Sequence, residues 1–515
     1  MSLFKSGIIV AISTFISRVF GYVRDVLIAS YLGTTDAMDV FAVAWRLPNF
    51  FRNLFAEGAL SSAFVPILSS KMQSLGEQKA YNFASQVLTF LLLMLLLFVG
   101  ACEIFMPYVM HIFAPGFLQE PEKFVLVVRA SYITMPYLLL VSMCSIYSGL
   151  LNVKGHFMIG SLVPVILSIS MIGALLCFNK FTDSHVISLA YGVLVAGFVQ
   201  LIVLYCSARS VGARTHIVKP VISPDIKLLF RKMIPAIIGS SIVQLNLWVD
   251  TVIATTLDGA ASKIYYAERL NQFPLAIIGT AIGTVLLPSL SKEVEKANFV
   301  YVNNLFERSV ITSLVFSLAA ASGLLSIGEL MISVLFERGQ FTYSDTIDVA
   351  FALRMLAIGL PAFILIKVLT PFYYSKLDTK TPLKISILCL IFNIGLSLSL
   401  IRFISYAGIP LATSICAWIN FMLLQLFLLK DSNFKPNYPL LWNQIARICI
   451  AILIMLLSIK MLCSLLDGFI NSSFKLDKLI AMLLIVTCSG VIYFAVVLYF
   501  NILDTKITQR FKLWK

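Results

Sequence analysis

The residues best placed to do chemistry in this sequence are charged side chains inside apolar stretches. Arg18, Arg24, Asp25, Asp39, Arg46, Arg52 and Glu57 fall within two such stretches, 7–32 and 39–68, and Glu268 and Arg269 fall in a later one. Holding a charge at the centre of a bilayer is costly, so such residues face a bundle interior or a water-filled cavity. Arg18 and Asp25 are seven apart and share one face of a helix, with Arg24 about a third of a turn away. Cations outnumber nearby anions, so pairing within the cluster leaves positive charge over. Guanidinium groups suit bidentate recognition of phosphate, and a cationic cavity in an apolar protein implies an anionic substrate. The competing reading is ion pairing between helices, or arginines reaching to the interface from helix ends. Glu103, Arg129, Glu329, Arg354 and Lys367 stand singly in other apolar stretches, where interfacial and pairing roles serve as well as function.

The elements that must position these charges follow from composition. Of 515 residues, 59% are hydrophobic and 12% charged, and the mean hydropathy is +0.94. A soluble domain carries about 25% charged residues, so the bilayer is the solvent that fits. Apolar runs at 88–101, 186–206, 310–327, 385–400, 448–461 and 479–500 read as spanning helices. With the charge-bearing stretches the count is about fourteen. Connections are too short for a hidden soluble catalytic domain. The first stretch is interrupted by Arg18, Arg24 and Asp25 and reads as a retained helix rather than a cleaved signal peptide.

The formal charge of +14 is explained by the positive-inside rule rather than by nucleic acid. Lys71, Lys79, Lys154, Arg209, Arg214, Lys376, Lys380 and Lys430 crowd the even connections, while Asp36, Glu120, Asp258, Asp345 and Asp467 favour the odd ones. Both termini are therefore expected on the cytoplasmic side. The nine cysteines form no CxxC pair, the four histidines have no metal spacing, and no GxxxxGK[ST] loop is present. No metal or cofactor is expected, and an enzyme is disfavoured.

The chain also repeats itself. VRDVLIASYLGTTDAMDVFAVAWRLPNF and its continuation GALSSAFVPILS match WVDTVIATTLDGAASKIYYAERLNQFP and GTAIGTVLLPSLS. Asp25 aligns with Asp250, Arg46 with Arg269 and Pro66 with Pro288. Further on, FAPGF matches FERGQF, and Arg129 precedes Pro136 as Arg354 precedes Pro361. The expected organisation is an all-α polytopic protein with two parallel six-helix lobes, 1–220 and 221–435, and an additional helix pair with a tail, 436–515. Parallel repeats place a substrate site between lobes that rock against each other.

The block SRVFGYVRD followed by RLPNFFRNLFAEGALSSAFVPIL resembles the MurJ/MviN family of lipid II flippases, as do YYAERLNQFP, GTVLLPSLSK, LFERGQFT and LDTKTP. The resemblance runs over nearly the whole chain. It implies a fourteen-helix member of the multidrug/oligosaccharidyl-lipid/polysaccharide exporter superfamily in the bacterial cytoplasmic membrane. Its expected substrate is lipid II, an undecaprenyl-pyrophosphate-linked disaccharide-pentapeptide, moved from the inner to the outer leaflet. Carried over to this chain, the substrate-binding cations are Arg18, Arg24, Arg52 and Arg269. Asp39 and Glu57 are the supporting acids, with Asp25 beside the arginines and Glu268 beside Arg269. The final helix pair would form a groove for the lipid tail; the charges of Arg447 and Lys460 in that pair have no assigned place relative to it. Membrane lipids and other cell-wall synthesis proteins are the expected partners, and membrane potential or a coupled ion the expected energy source. The alternatives are an exporter of another lipid-linked oligosaccharide or of a drug, a membrane-embedded enzyme, and a cell-wall scaffold. Against the enzyme stands the lack of a DxD pair or a histidine cluster.

Overall fold

The computed structural model describes the backbone of residues 3–178, 182–431, 434–472 and 474–502, and all their side chains except 3–11, 56–59, 61, 62, 235, 236, 238, 240 and 280–285. Among these residues the regular structure is entirely helical, as expected for a polytopic protein. Inside hydrocarbon a helix satisfies its own backbone, which explains the dominance of one element. Among the described residues nine segments are long and apolar enough to cross a bilayer. The charge-bearing helices fall outside that set, and the expected count of fourteen depends on reading them as spans too.

Contacts divide the chain into two units, Met1–Ser262 with Arg338–Phe341, and Lys263–Glu337 with Thr342–Lys515. The first unit opens with α1 (Leu3–Leu32) and α2 (Asp36–Arg52). A π-helix, Asn53–Leu60, joins α2 without a break to α3 (Ser61–Leu75), and Gly76 at φ +84° ends that rod. Then come α4 (Glu77–Ile104), α5 (Met106–Phe113), α6 (Pro121–Thr134), α7 (Tyr137–Val153), α8 (Phe157–Cys177), α9 (His185–Ser210) and α10 (Pro224–Ala254). Helix starts follow local chemistry. Ser223 and Ser184 accept backbone N–H groups at the first turns of α10 and α9, and Pro224 fills the first position of α10. Side chains also tie helices together. Gln200 on α9 donates to the Val163 carbonyl on α8 (2.9 Å), and Thr134 on α6 donates to the Ala44 carbonyl on α2 (2.9 Å). Outward faces are apolar, with Leu97 75% exposed, as a lipid-facing surface requires.

Two glycine loops close this unit, and they reflect the sequence repeat. A Cβ on Gly116, in FAPGF, would lie 2.0 Å from the Thr255 carbonyl oxygen at the end of α10. A Cβ on Gly339, in FERGQF, would lie 2.1 Å from the Ser30 carbonyl oxygen near the end of α1, and the Gln340 N–H donates to that oxygen at 2.9 Å. The register that aligns Asp25 with Asp250 sets Ser30 opposite Thr255. The glycine loop of each repeat thus packs on the equivalent helix end of the other, and only glycine permits so close an approach.

The second unit contains most of α11 (Ala260–Glu295), then α12 (Phe299–Phe336), α13 (Tyr343–Ser375), α14 (Lys380–Ile404), α15 (Gly408–Leu428), α16 (Tyr438–Leu465), the short α17 (Asp467–Ile470) and α18 (Lys475–Tyr499). Thr342 and Asp345 form a capping box at the start of α13. Gly359 lets α13 approach α15 closely, where Ser414 donates to the Met355 carbonyl (2.6 Å). The final pair α16 and α18 shares one apolar core with α12 and α13. Tyr493 on α18 donates to the Val315 carbonyl on α12 (2.7 Å). Arg447 donates to the Phe500 carbonyl just past α18 (3.0 Å), satisfying an end that lacks a helical partner. Lys460 is exposed on α16.

Candidate functional site

In the first unit Arg24 and Asp25 form a buried charge pair on α1. Both side chains are buried, and Arg24 Nε and Nη2 both donate to Asp25 Oδ1 at 3.0 and 2.8 Å. Consecutive residues cannot share a helix face, so the long arginine turns back onto its neighbour. That fixes the guanidinium plane while leaving N–H directions for a further acceptor. Arg18, two turns earlier, is exposed.

Asp39 is fully buried and works at a helix end. Its Oδ2 accepts the Gly259 N–H (3.0 Å) and its Oδ1 the Ser262 N–H (2.7 Å), which caps the opening residues of α11 from α2. The first turn of a helix has unfilled donors and a positive dipole end, so a carboxylate there is favourable. Lys123 on α6, also buried, places its ammonium 3.4 Å from Asp39 and 2.7 Å from Asp36. The segment next to α2 is tied down too. Arg46 donates to the Thr251 hydroxyl (2.6 Å), and Asn53 to Gln244 (3.2 Å).

Arg52 lines a cavity of about 220 Å³ bounded by α3, α7, α8 and α9. Ser145, Ser148 and Asn152 of α7 and Gln200 of α9 give it polar walls within an otherwise apolar lining. The Glu57 side chain lies outside the described residues; its backbone belongs to the π-helix. A π-helix is rare and clusters at functional sites, and this one directly follows Arg52.

In the second unit Glu268 and Arg269 are half-buried on α11. The Arg269 guanidinium lies over the Tyr265 ring, 4.5 Å from its centroid, and donates to the Tyr265 hydroxyl at 2.8 Å. Near the start of α11, Lys263 pairs with Asp348 of α13 (2.6 Å) and sits over the Tyr406 ring. The structure therefore brings Arg24 and Asp25 together, lines a cavity of the first unit with Arg52, and packs Arg269 on Tyr265 in the second. Sequence reasoning missed Lys123, Ser262, Lys263 and Tyr406. The repeat register held the missing signal: aligning Arg129 with Arg354 puts Lys123 opposite Asp348. The single charges Arg129 and Arg354 prove to be paired, with Asp183 (3.1 Å) and Glu329 (3.2 Å). No group of His, Cys, Asp and Glu among the described residues is arranged to hold a metal ion.

A repeat of long helices with cations on its first members, Arg24 among them buried, defines a polytopic membrane protein of transporter type. A solved inward-facing multidrug resistance MATE family transporter of the MOP superfamily shares this fold. It has a TM-score of 0.65 at 14% identity, covering 80% of this chain and 94% of that one. A structure of lipid II flippase MurJ in an inward closed conformation matches with a TM-score of 0.78 at 26% identity, covering 96% of this chain and 99% of that one. Probable lipid II flippases MurJ from Rickettsia prowazekii and Rhizobium meliloti are 40% and 35% identical. The first alignment covers 84% of this chain and 85% of the relative, the second 96% and 94%. The family described as lipid II flippase MurJ matches residues 28–481, and the chain belongs to that family.

Proposed function

We propose that this chain flips lipid II, the undecaprenyl-pyrophosphate-linked peptidoglycan precursor, from the cytoplasmic to the periplasmic leaflet of a bacterial inner membrane. The observation that carries the reading is the family match across both halves of the repeat. The arginines are assigned to the diphosphate: Arg24, oriented by Asp25, with Arg18, Arg52 and Arg269. Asp39, Glu57 and Glu268 support the cavity. The lobes 1–220 and 221–435 rock between inward- and outward-open states, and 436–515 guides the lipid tail along its helices. No chemical bond changes, so the chain works as a transporter rather than an enzyme. Both termini lie in the cytoplasm, and other cell-wall synthesis proteins deliver and consume the cargo.

Energy comes from the membrane potential or a coupled ion. One charge crossing the whole field is worth about 2.3 kcal/mol per 100 mV. An interior-negative potential drives an anion outward, so the sign favours export. Collapsing the potential with no change in flipping would remove this part of the mechanism.

The test is complementation with a transport readout. The resident lipid II flippase of a bacterium is depleted, this chain is expressed, and lipid II accessible at the outer face is measured. Wild type restores exposure, while Arg24→Ala, Arg52→Ala and Arg269→Ala at equal membrane levels lose at least about tenfold, the scale of one charge-assisted contact. Failure of wild type protein that is folded in the membrane would redirect the assignment to another lipid-linked saccharide. Restoration by all three variants would keep the cargo and discard the site.

A further inference from the structure

Lys367 is a cation that none of the roles above uses. It lies on α13 about two turns before the helix ends at Ser375. Its stem packs on α11: a Cβ on Gly279 would meet Lys367 Cδ at 2.7 Å and Nζ at 3.0 Å. The glycine thus provides the groove in which the lysine lies. The side chain is nevertheless exposed overall, and among the described residues no carboxylate stands within ion-pair distance. Arg129 and Arg354, single cations of other apolar stretches, each have an acid beside them. An unpaired ammonium within a spanning helix costs free energy that only a function or an escape to water offsets.

Position supplies the function. Gly279 follows Arg269 on α11 by ten residues, about 15 Å along the axis, toward the end that carries Lys292 and Lys296. In the proposed topology that end is cytoplasmic. Lys367 and Arg269 therefore stand at two depths along one helix of the second unit. A compact ammonium on a flexible stem suits transient binding of a phosphate as a point charge, while a guanidinium suits the bidentate hold.

We propose that Lys367 binds the diphosphate of the lipid-linked substrate on the cytoplasmic side of Arg269, as the first cation of a relay along α11. The proposal rests on the reading of the cargo as a lipid-linked diphosphate. It adds a residue, and an order of contact, to that site. Gly279 is a positioning residue that keeps the lysine stem in place.

The test uses the full chain in phosphatidylcholine nanodiscs, which offer no anionic headgroups to compete. Binding of farnesyl diphosphate is titrated, with farnesol as the uncharged control. Wild type prefers the diphosphate. Lys367→Met weakens that binding about tenfold or more, Lys367→Arg keeps it within about threefold, and Gly279→Ala, which retains the charge but displaces it, falls between. Thermal melting confirms that each variant is folded, and Gly279→Ala decides the matter if Lys367→Met is not. Unchanged diphosphate binding in Lys367→Met, with binding still lost in Arg269→Ala, overturns the lysine proposal alone. A wild type that binds farnesol and farnesyl diphosphate equally overturns the cationic site as a whole.

Discussion

Two equivalent ion pairs in the repeat carry opposite signs. In the first unit the acids Asp36 and Asp39 sit on α2 and the lysine, Lys123, on α6. In the second, the lysine, Lys263, sits on α11 and the acid, Asp348, on α13. What the two halves share is the link between their helices rather than the residues that make it. The pairs also differ in depth. Lys123 and Asp39 are almost wholly shielded, whereas Asp348 keeps about a third of its side chain exposed. Asp39 has a second duty that Asp348 lacks, since it also caps a helix start. A duplicated framework has thus been specialised in one half, with burial marking which copy carries more.

The largest effect expected from this difference is at Asp39. Asp39→Ala leaves two buried backbone donors without their acceptor and takes one acid from Lys123, which keeps Asp36, and should cost about 2–4 kcal/mol of stability. Asp348→Ala, in its more exposed setting, should cost about 1 kcal/mol or less. Unfolding of the purified variants in one detergent measures both, and equal losses would erase the asymmetry. Next come the glycine loops. Gly339→Ala and Gly116→Ala both force a backbone apart, but Gly339 also has φ +60°. It should lose about 1 kcal/mol more than Gly116→Ala in the same melts, the added left-handed strain.

A smaller effect tests the exchange of sign itself. Lys263→Asp and Asp348→Lys should each destabilise, and the double variant should recover about 0.5–1 kcal/mol as coupling in a mutant cycle. Zero coupling would mean that the pair contributes nothing to the link. The smallest effect concerns the LDTKTP turn before α14. Burial raises the Asp378 carboxyl, but hydrogen bonds from the Thr381 hydroxyl and the backbone N–H groups of Thr381 and Lys380 outweigh it and hold the carboxyl below its usual range. A depressed value stabilises the fold above the unfolded pKa, about 3.9. The contribution disappears as pH falls through the folded value. Asp378→Asn should flatten the acid limb of a melting-temperature profile and leave neutral pH nearly unchanged.

Much of this architecture was readable from residue order. Apolar runs marked the helices, and the repeat aligned Asp25 with Asp250 and FAPGF with FERGQF. Pro66 could be aligned with Pro288, yet the π-helix before it was not visible, because periodicity registers average pitch rather than the partner of each carbonyl. For the site, composition identified the arginines of the apolar stretches as a class. It did not pair Arg24 with its own neighbour, nor did it show Asp39 reaching residues more than two hundred positions away. Such contacts depend on the third dimension, and one-sided patterns such as a lysine opposite an acid become legible only when the repeats are laid over each other.

The π-helix of Asn53–Leu60 has a consequence for how this region tolerates insertion and deletion. Its hydrogen bonds each span one residue more than those of the α-helices on either side. The stretch therefore stores surplus chain within an unbroken rod. Deleting one residue there would let the rod close into ordinary pitch while α3, Val65 of the cavity wall included, keeps nearly the face it turns toward Arg52. The same deletion in a plain α-helix would turn everything after it by about 100°, so chain length can change by one residue at this point with little change of rotational phase.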